Sequence, residues 1–270
     1  MSFKVVIPAR YASTRLPGKP LLDIGGRPMI QWVIAAAKQS RADEVLVATD
    51  DERIAQAAFD PASPGLSLAV MTRADHASGT DRIAEVAALR GWDDATVVVN
   101  VQGDEPQLPY TLIDQVAMLL LEQPRAAMAT LAAPIATLAE FLDPNVVKVV
   151  AAEDGAALYF SRAPIPWHRD SAAQGLASQT CFVGARRHLG IYAYRVRTLR
   201  LLTARPAGEL ELIEKLEQLR AMQAGLRIQI ADAVAETGGG VDTEEDLARM
   251  RATLLTSGQS RGIPCRSQTS

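Results

Sequence analysis

FKVVIPARYASTRLPGKPL, residues 3–21, is the stretch whose reading decides the fold. Phe3 to Ile7 reads as a strand that enters a core at once. Residues 8–21 then carry Arg10, Arg15 and Lys19, with Ser13, Thr14 and Gly18 between them. Three cations with hydroxyl and backbone donors at a strand's carboxyl end suit a polyphosphate, and open α/β sheets bind ligands at that edge. The loop is not a Walker A motif: Ser13 stands five residues before Gly18, and Pro20 occupies the Ser/Thr position. No GxGxxG follows the strand, which disfavours a dinucleotide fold. A solvated basic connector would also carry these charges, but Pro and Gly among three cations are an uneconomical way to make one.

Outward from this strand, short β-branched runs alternate with amphipathic ones. Pro28 sits at a helix's first turn, and Met29, Trp32, Val33 and Ala36 follow at helical spacing. Strands are expected at Glu44–Ala48, Leu66–Met71 and Thr96–Val101, and helices at Asp51–Ala58, Asp81–Leu89 and Leu112–Leu121. TVVVNV (96–101) is apolar almost throughout, as in a strand buried on both faces. This rhythm predicts an α/β fold with a mostly parallel sheet between helices. Beyond about residue 125 the rhythm changes, and a mixed lobe over about 126–225 is expected. It would hold a hairpin of Val146–Ala152 and Ala156–Ser161, a mobile loop at Ser171–Ser178, a strand at Leu189–Tyr194 and one long helix through Leu210–Met222. Arg227–Ala231 reads as a last strand. Thr243 with Asp246 is a capping-box-like start for a helix to about Leu255, leaving 256–270 as a disordered tail.

Composition narrows the function. Lys plus Arg is 28 and Asp plus Glu 31, a net charge of −3, which argues against a nucleic-acid coat. Hydrophobic residues at 48% and charged residues at 22% exclude wholesale disorder. Cys181 and Cys265 are far apart and make neither a disulfide framework nor a zinc site. The N-terminus lacks a signal-peptide run, and no stretch reads as a membrane span; 126–136 comes nearest but holds Thr130 and Pro134. A soluble cytoplasmic protein is the expectation.

Two acidic segments accompany the basic loop. NVQGDEP (100–106) ends the apolar strand in an acidic turn at the same sheet edge, and GGGVDT (238–243) delivers Asp242 just before a helix. Asp104 and Asp242 could share one Mg²⁺ with phosphate oxygens. Each could equally be a helix-capping residue. His76 and His168 have no evident partner and read as structural or exposed.

Taken together, PARYASTRLPGKPL, TRADHASGTDR (72–82), NVQGDEP, ALYFSRAPIPW (157–167), RHLGIYAYR (187–195) and GVDTEEDL (240–247) resemble the 3-deoxy-manno-octulosonate cytidylyltransferase family, the CMP-Kdo synthetases, in order and spacing over about residues 2–255. The resemblance implies a Rossmann-like nucleotidyltransferase core with an inserted sugar-binding and dimerisation lobe. It implies a homodimer that needs Mg²⁺ and makes CMP-Kdo and pyrophosphate from CTP and Kdo for lipopolysaccharide assembly. It assigns Arg10, Ser13, Arg15 and Lys19 to the triphosphate. Pro8, Ala9, Arg73, Ser78 and Gly79 would read cytosine. Lys19, Asp104 and Asp242 would serve catalysis, the two aspartates as metal ligands. Gln102, between nucleotide and sugar, would join Arg162, His188, Tyr192, Glu217 and Gln218 in the Kdo pocket. A cytidylyltransferase for another 2-keto acid sugar, such as a sialic acid, and a catalytically silent nucleotide-binding regulator are the alternatives.

Overall fold

Val5, Val6 and Ile7 are fully buried, which a strand achieves only with helices on both faces. The computed structural model describes residues 2–12, 16–171 and 174–258. Strand β1 (Lys4–Pro8) lies between β2 (Glu44–Thr49) and β4 (Val97–Asn100), and β3 (Ala69–Met71) extends the far side of β2. These four strands are all parallel. Pleating sends alternate residues to opposite faces. Val5 and Ile7 pack with Val47 and Val99 against α1 (Met29–Ala37) and α4 (Tyr110–Glu122). Val6, Leu46 and Val98 face α3 (Gly79–Leu89) and α6 (Val196–Thr203). Each such side chain contributes roughly 1.5–3 kcal/mol by burial. Helix α2 (Glu52–Ala57) follows β2, its N-terminus capped by Asp51. The mostly parallel α/β core expected from the sequence is therefore present.

The segment expected as a lobe continues the same sheet. Strands β5 (Met128–Pro134), β6 (Lys148–Ala151), β7 (Ala157–Ser161), β8 (Arg186–Arg195) and β9 (Ile228–Asp232) join it through β8, which pairs antiparallel with β4, Tyr192 opposite Asn100. The order runs β7-β6-β8-β4-β1-β2-β3, with β5 on β8 and β9 parallel to β5. The β6–β7 hairpin forms where expected. Strand β5 was not foreseen, because its alanine-rich MATLAAP has weak β-propensity. Helices α5 (Leu138–Leu142) and α6 were also missed.

Three boundaries differ from expectation. The single helix over 210–222 is two, α7 (Glu209–Glu214) and α8 (Gln218–Gln223), broken where Lys215 takes a left-handed φ of 54°. Leu66–Met71 divides between β3 and a small hairpin of Phe59–Asp60 with Ser63–Ser67. Helix α9 (Glu244–Gly258) runs past Leu255, so the tail does not begin at 256; residues 259–270 lie outside the described residues. So do residues 172 and 173 of the expected loop, which is flanked by single helical turns at Arg169–Ser171 and Leu176–Ser178. Among the described residues no helix is long and apolar enough to cross a membrane.

Candidate active site

The carboxyl ends of β1 and β4 open into a cavity of about 650 Å³, lined by Pro8, Ala9, Arg10, Lys19, Ser78, Gly79, Gln102, Asp104 and Asp242 among others. Nine of the residues singled out from sequence thus meet at one sheet edge. The Gly18 N–H donates to the Tyr11 carbonyl at 3.0 Å and closes the basic loop. Gly18 has a φ of 68°, and a Cβ there would stand 2.8 Å from the Tyr11 ring, so two constraints call for glycine. The Arg53 guanidinium covers the same ring, 3.5 Å from its centroid. Ser13 and Arg15 lie outside the described residues.

Lys19 is the junction of the site. Its Nζ donates to Asp104 Oδ2 at 2.7 Å and to Asp242 Oδ1 at 2.9 Å. Burial alone would lower the Lys19 ammonium, but Asp104 and Asp242 outweigh it and hold it above the ordinary lysine range. Two loops bring the carboxylates together. Gly103 passes so close to β1 that a Cβ would stand 3.1 Å from the Pro8 carbonyl oxygen. The Val241 N–H donates to the Asp104 carbonyl at 3.0 Å, tying one acidic loop to the other. Val241 is buried in a cluster with Leu16, Ile24, Met29, Leu247 and Met250, which docks α9 against the basic loop.

Helix capping does not account for either aspartate. Thr243 caps α9, its Oγ1 accepting from the Asp246 N–H at 3.2 Å, and the Asp246 carboxylate accepts from the N–H groups of Asp242 and Thr243. Asp104 lies six residues before α4, whose N-cap is Pro109. Two hard carboxylate oxygens beside a phosphate-sized space fit Mg²⁺, which completes its shell with phosphate oxygens and water. Among the described residues no group of three or more His, Cys, Asp or Glu side chains could cage a metal. A metal here would therefore draw the rest of its shell from phosphate oxygens and water.

The N-terminus of α3 forms another wall. Ser78 and Asp81 make a capping box, and Ser78 Oγ also donates to Glu217 Oε1 at 3.0 Å. Burial raises the Glu217 carboxyl above its ordinary value, against the hydrogen bonds from Ser78 and Thr80. A Cβ on Gly79 would stand 3.3 Å from the Pro8 ring. The expected cytosine reader Arg73 is not at this cavity. It is exposed, pairs with Asp75 at 3.4 Å, and its N–H is held by Glu85.

Of the expected sugar residues, Gln102 lines the cavity and its Nε2 donates to the Gly190 carbonyl at 3.4 Å. Tyr192 and Gln218 are buried, and the Tyr192 hydroxyl and Gln218 Nε2 have no hydrogen-bond partner among the described residues. Buried polar atoms left this way are uncommon in native structures and mark places for a ligand or water. His188 contacts Thr130 Oγ1 at 2.9 Å, and burial pushes its imidazole down to about 3, so the ring is neutral. Arg162 does not line the cavity. Its Nε donates to the Glu214 carbonyl at 2.7 Å and its Nη1 to the Pro144 carbonyl at 3.0 Å.

Three residues at the site were missed: His76, Arg82 and Glu105. His76 has a partner after all: it is bonded to Glu85 and lines the cavity. His168 also has one, Ser171 Oγ at 3.0 Å. Arg82 lines the cavity while bonding Thr72 and, at 3.2 Å, Asp50. Glu105 stands beside the paired aspartates; burial first, then the charges of Asp104 and Asp242, push its carboxyl up to about 7 against the pull of Arg187. Glu105 sat inside the NVQGDEP segment, so its position next to Asp104 was a usable signal.

Residues 4–228 match the cytidylyltransferase family model. The 3-deoxy-manno-octulosonate cytidylyltransferase of Xanthomonas euvesicatoria pv. vesicatoria is 56% identical over 94% of this chain and 96% of its own length. Its counterpart from Thioalkalivibrio sulfidiphilus is 52% identical over 94% and 99%, and that from Pseudomonas fluorescens 53% identical over 94% and 98%. A solved CMP:2-keto-3-deoxy-manno-octonic acid synthetase, complexed with CTP, superimposes with a TM-score of 0.82 at 43% identity, covering 95% of this chain and 99% of that one.

Proposed function

The chain belongs to the 3-deoxy-manno-octulosonate cytidylyltransferase family, and on that premise we propose that it makes CMP-Kdo and pyrophosphate from CTP and Kdo through the cavity built around Lys19. The observation that carries the reading is the meeting of Lys19, Asp104 and Asp242 beside Arg10 and the N-terminus of α3. Arg10 and Lys19 can meet phosphate charge, the two aspartates can do so only through a bound cation, and an α-helix N-terminus favours anionic or strongly polar ligand groups.

In this reading the anomeric hydroxyl of Kdo attacks the α-phosphorus of CTP. A new oxygen–phosphorus bond forms, the hydroxyl gives up its proton to solvent, the bond to the bridging oxygen breaks, and pyrophosphate leaves with the β- and γ-phosphates. Arg10 and Lys19, with Arg15 and Ser13 from the same loop, hold the triphosphate and meet its charge. Pro8, Ala9, Ser78 and Gly79 enclose cytosine, and Arg73 would have to turn inward to join them. Asp104 and Asp242 would hold Mg²⁺, which when bound supplies positive charge against the phosphate oxygens. Tyr192, Gln218, Glu217, neutral His188 and Gln102 present polar groups to the sugar, and Arg162 lies on that side. Positioning of this kind can account for much of the rate of a phosphoryl-type transfer.

We further propose a homodimer through the 126–225 segment, supported by exposed Leu158 on edge strand β7 and exposed Leu212 and Ile213 on α7. A cytoplasmic enzyme that supplies activated Kdo to lipopolysaccharide assembly fits this substrate pair. Pyrophosphate release in the presence of CTP, Mg²⁺ and Kdo tests the reading. No release with any 2-keto acid sugar, despite CTP binding, would favour a silent nucleotide-binding protein.

A further inference from the structure

Lys148 has no exposed surface, and its partners are three main-chain carbonyls: Asp143 at 2.8 Å, Val146 at 2.7 Å and Arg162 at 2.6 Å. Asp143 and Glu214 act on this ammonium only through space; a buried ammonium held by carbonyls is costly, and an apolar side chain would fill the space at less expense. An ammonium does what no apolar group can: its three donors gather carbonyls from the loop before β6 and from the end of β7 into one cluster. Arg162, fixed there by its carbonyl, passes the constraint on. Its N–H donates to Glu214 Oε2 at 2.9 Å, its Nε to the Glu214 carbonyl at 2.7 Å, and Ser161 Oγ to Glu214 Oε1 at 2.6 Å. Glu214 is the last residue of α7. The next residue, Lys215, sits at a φ of 54°, a conformation a non-glycine residue keeps only when its surroundings impose it. Glu217 and Gln218 follow within one turn, Glu217 bonded to Ser78 at the cavity wall and Gln218 with an Nε2 that has no partner among the described residues.

We infer that Lys148 is a positioning residue for the sugar half of the site, acting through Arg162 and Glu214 on the turn that carries Glu217 and Gln218. The inference rests on the reading of that half as the Kdo pocket. The cavity's phosphate side, built on the loops after β1 and β4, does not pass through this chain of bonds. Loss of the ammonium therefore affects Kdo far more than CTP, which this chain of bonds reaches through the bond between Glu217 and Ser78 at the cytosine end.

The test is steady-state kinetics of pyrophosphate release by the wild type, Lys148→Met and Glu214→Gln, varying CTP and Kdo separately. The expected result is a KM for Kdo raised about tenfold or more in both variants, with the KM for CTP within about twofold of wild type. A purely structural role would lower the active fraction and the melting temperature without separating the two constants. Should Lys148→Met fail to fold, Glu214→Gln decides, since it keeps the size of the side chain at a partly exposed position. Turnover by the wild type with both constants unchanged in a folded variant, or raised equally, would overturn the inference. No turnover of Kdo by the wild type would instead bring down the functional reading beneath it.

Discussion

Lys19 bonds two carboxylates that lie 85 and 223 residues away in sequence. The residue types at each of the three positions were legible, because strand ends and glycine runs marked them; their meeting was not, because only the packing of α9 on the basic loop creates it. His76 shows the opposite case: its bond to Glu85 joins a loop to a helix, and nothing local announces it. Asp104→Asn is expected to abolish turnover while moving stability by only about 0.5 kcal/mol, since the carboxylate is partly exposed and lies in a loop. Pyrophosphate release together with a urea melt checks both halves. Lys19→Ala should raise the KM for CTP more than that for Kdo, a charge-assisted contact of this kind contributing roughly 1.5–3 kcal/mol. The neutral His188 ring carries a pH signature. Its folded value of about 3 lies below the ordinary histidine value of 6.5, so it contributes stability in full above about pH 6.5. That contribution is lost as pH falls toward 3, because the unfolded chain takes a proton that the folded one refuses. His188→Gln should accordingly lose less stability than the wild type between pH 7 and pH 5, measured as the shift in urea midpoint.

Elements with a strong period were legible and those with a mixed one were not. VVI in β1 and VVVN in β4 could only be buried strands. The apolar spacing of Leu210, Ile213, Leu216, Leu219 and Met222 concealed a break, because tertiary bonds to Glu214 force the chain through a left-handed residue at Lys215. Glycine there would relieve strain of roughly 1–2 kcal/mol and add about 0.5–1 kcal/mol of unfolded-state entropy. Lys215→Gly is thus expected to leave stability unchanged or raised by up to about 1 kcal/mol, whereas Lys215→Val should lower it by at least about 1 kcal/mol. A thermal melt that ranked the two the other way would show that the turn is not fixed as described. Ala-rich β5 went unread for a different reason: its strand character comes from pairing with β8 and β9 on both edges, not from its own residues.

At the scale of the whole molecule, one sheet joins the parallel strands that end at the cavity to the strands proposed to carry the sugar half. Strand β8 pairs with β4, which ends in the Gln102–Asp104 turn, and carries His188 and Tyr192 itself. The change of rhythm after residue 125 was visible in the sequence, but it marks a switch from parallel to antiparallel pairing within the sheet, which periodicity does not distinguish from a separate lobe. In the proposed function the shared sheet would fix the anomeric hydroxyl relative to the α-phosphorus, and the polar groups on β8 and α8 would select the sugar. A site built on polar pairs rejects a ligand that leaves its donors and acceptors unpaired. The decisive measurement is the kcat/KM for pyrophosphate release with CTP and Mg²⁺, Kdo being compared with N-acetylneuraminate. A preference for Kdo of at least about a hundredfold, on the order of 2.7 kcal/mol in transition-state binding, is expected. Equal use of the two acids, or turnover of neither, would contradict the assignment.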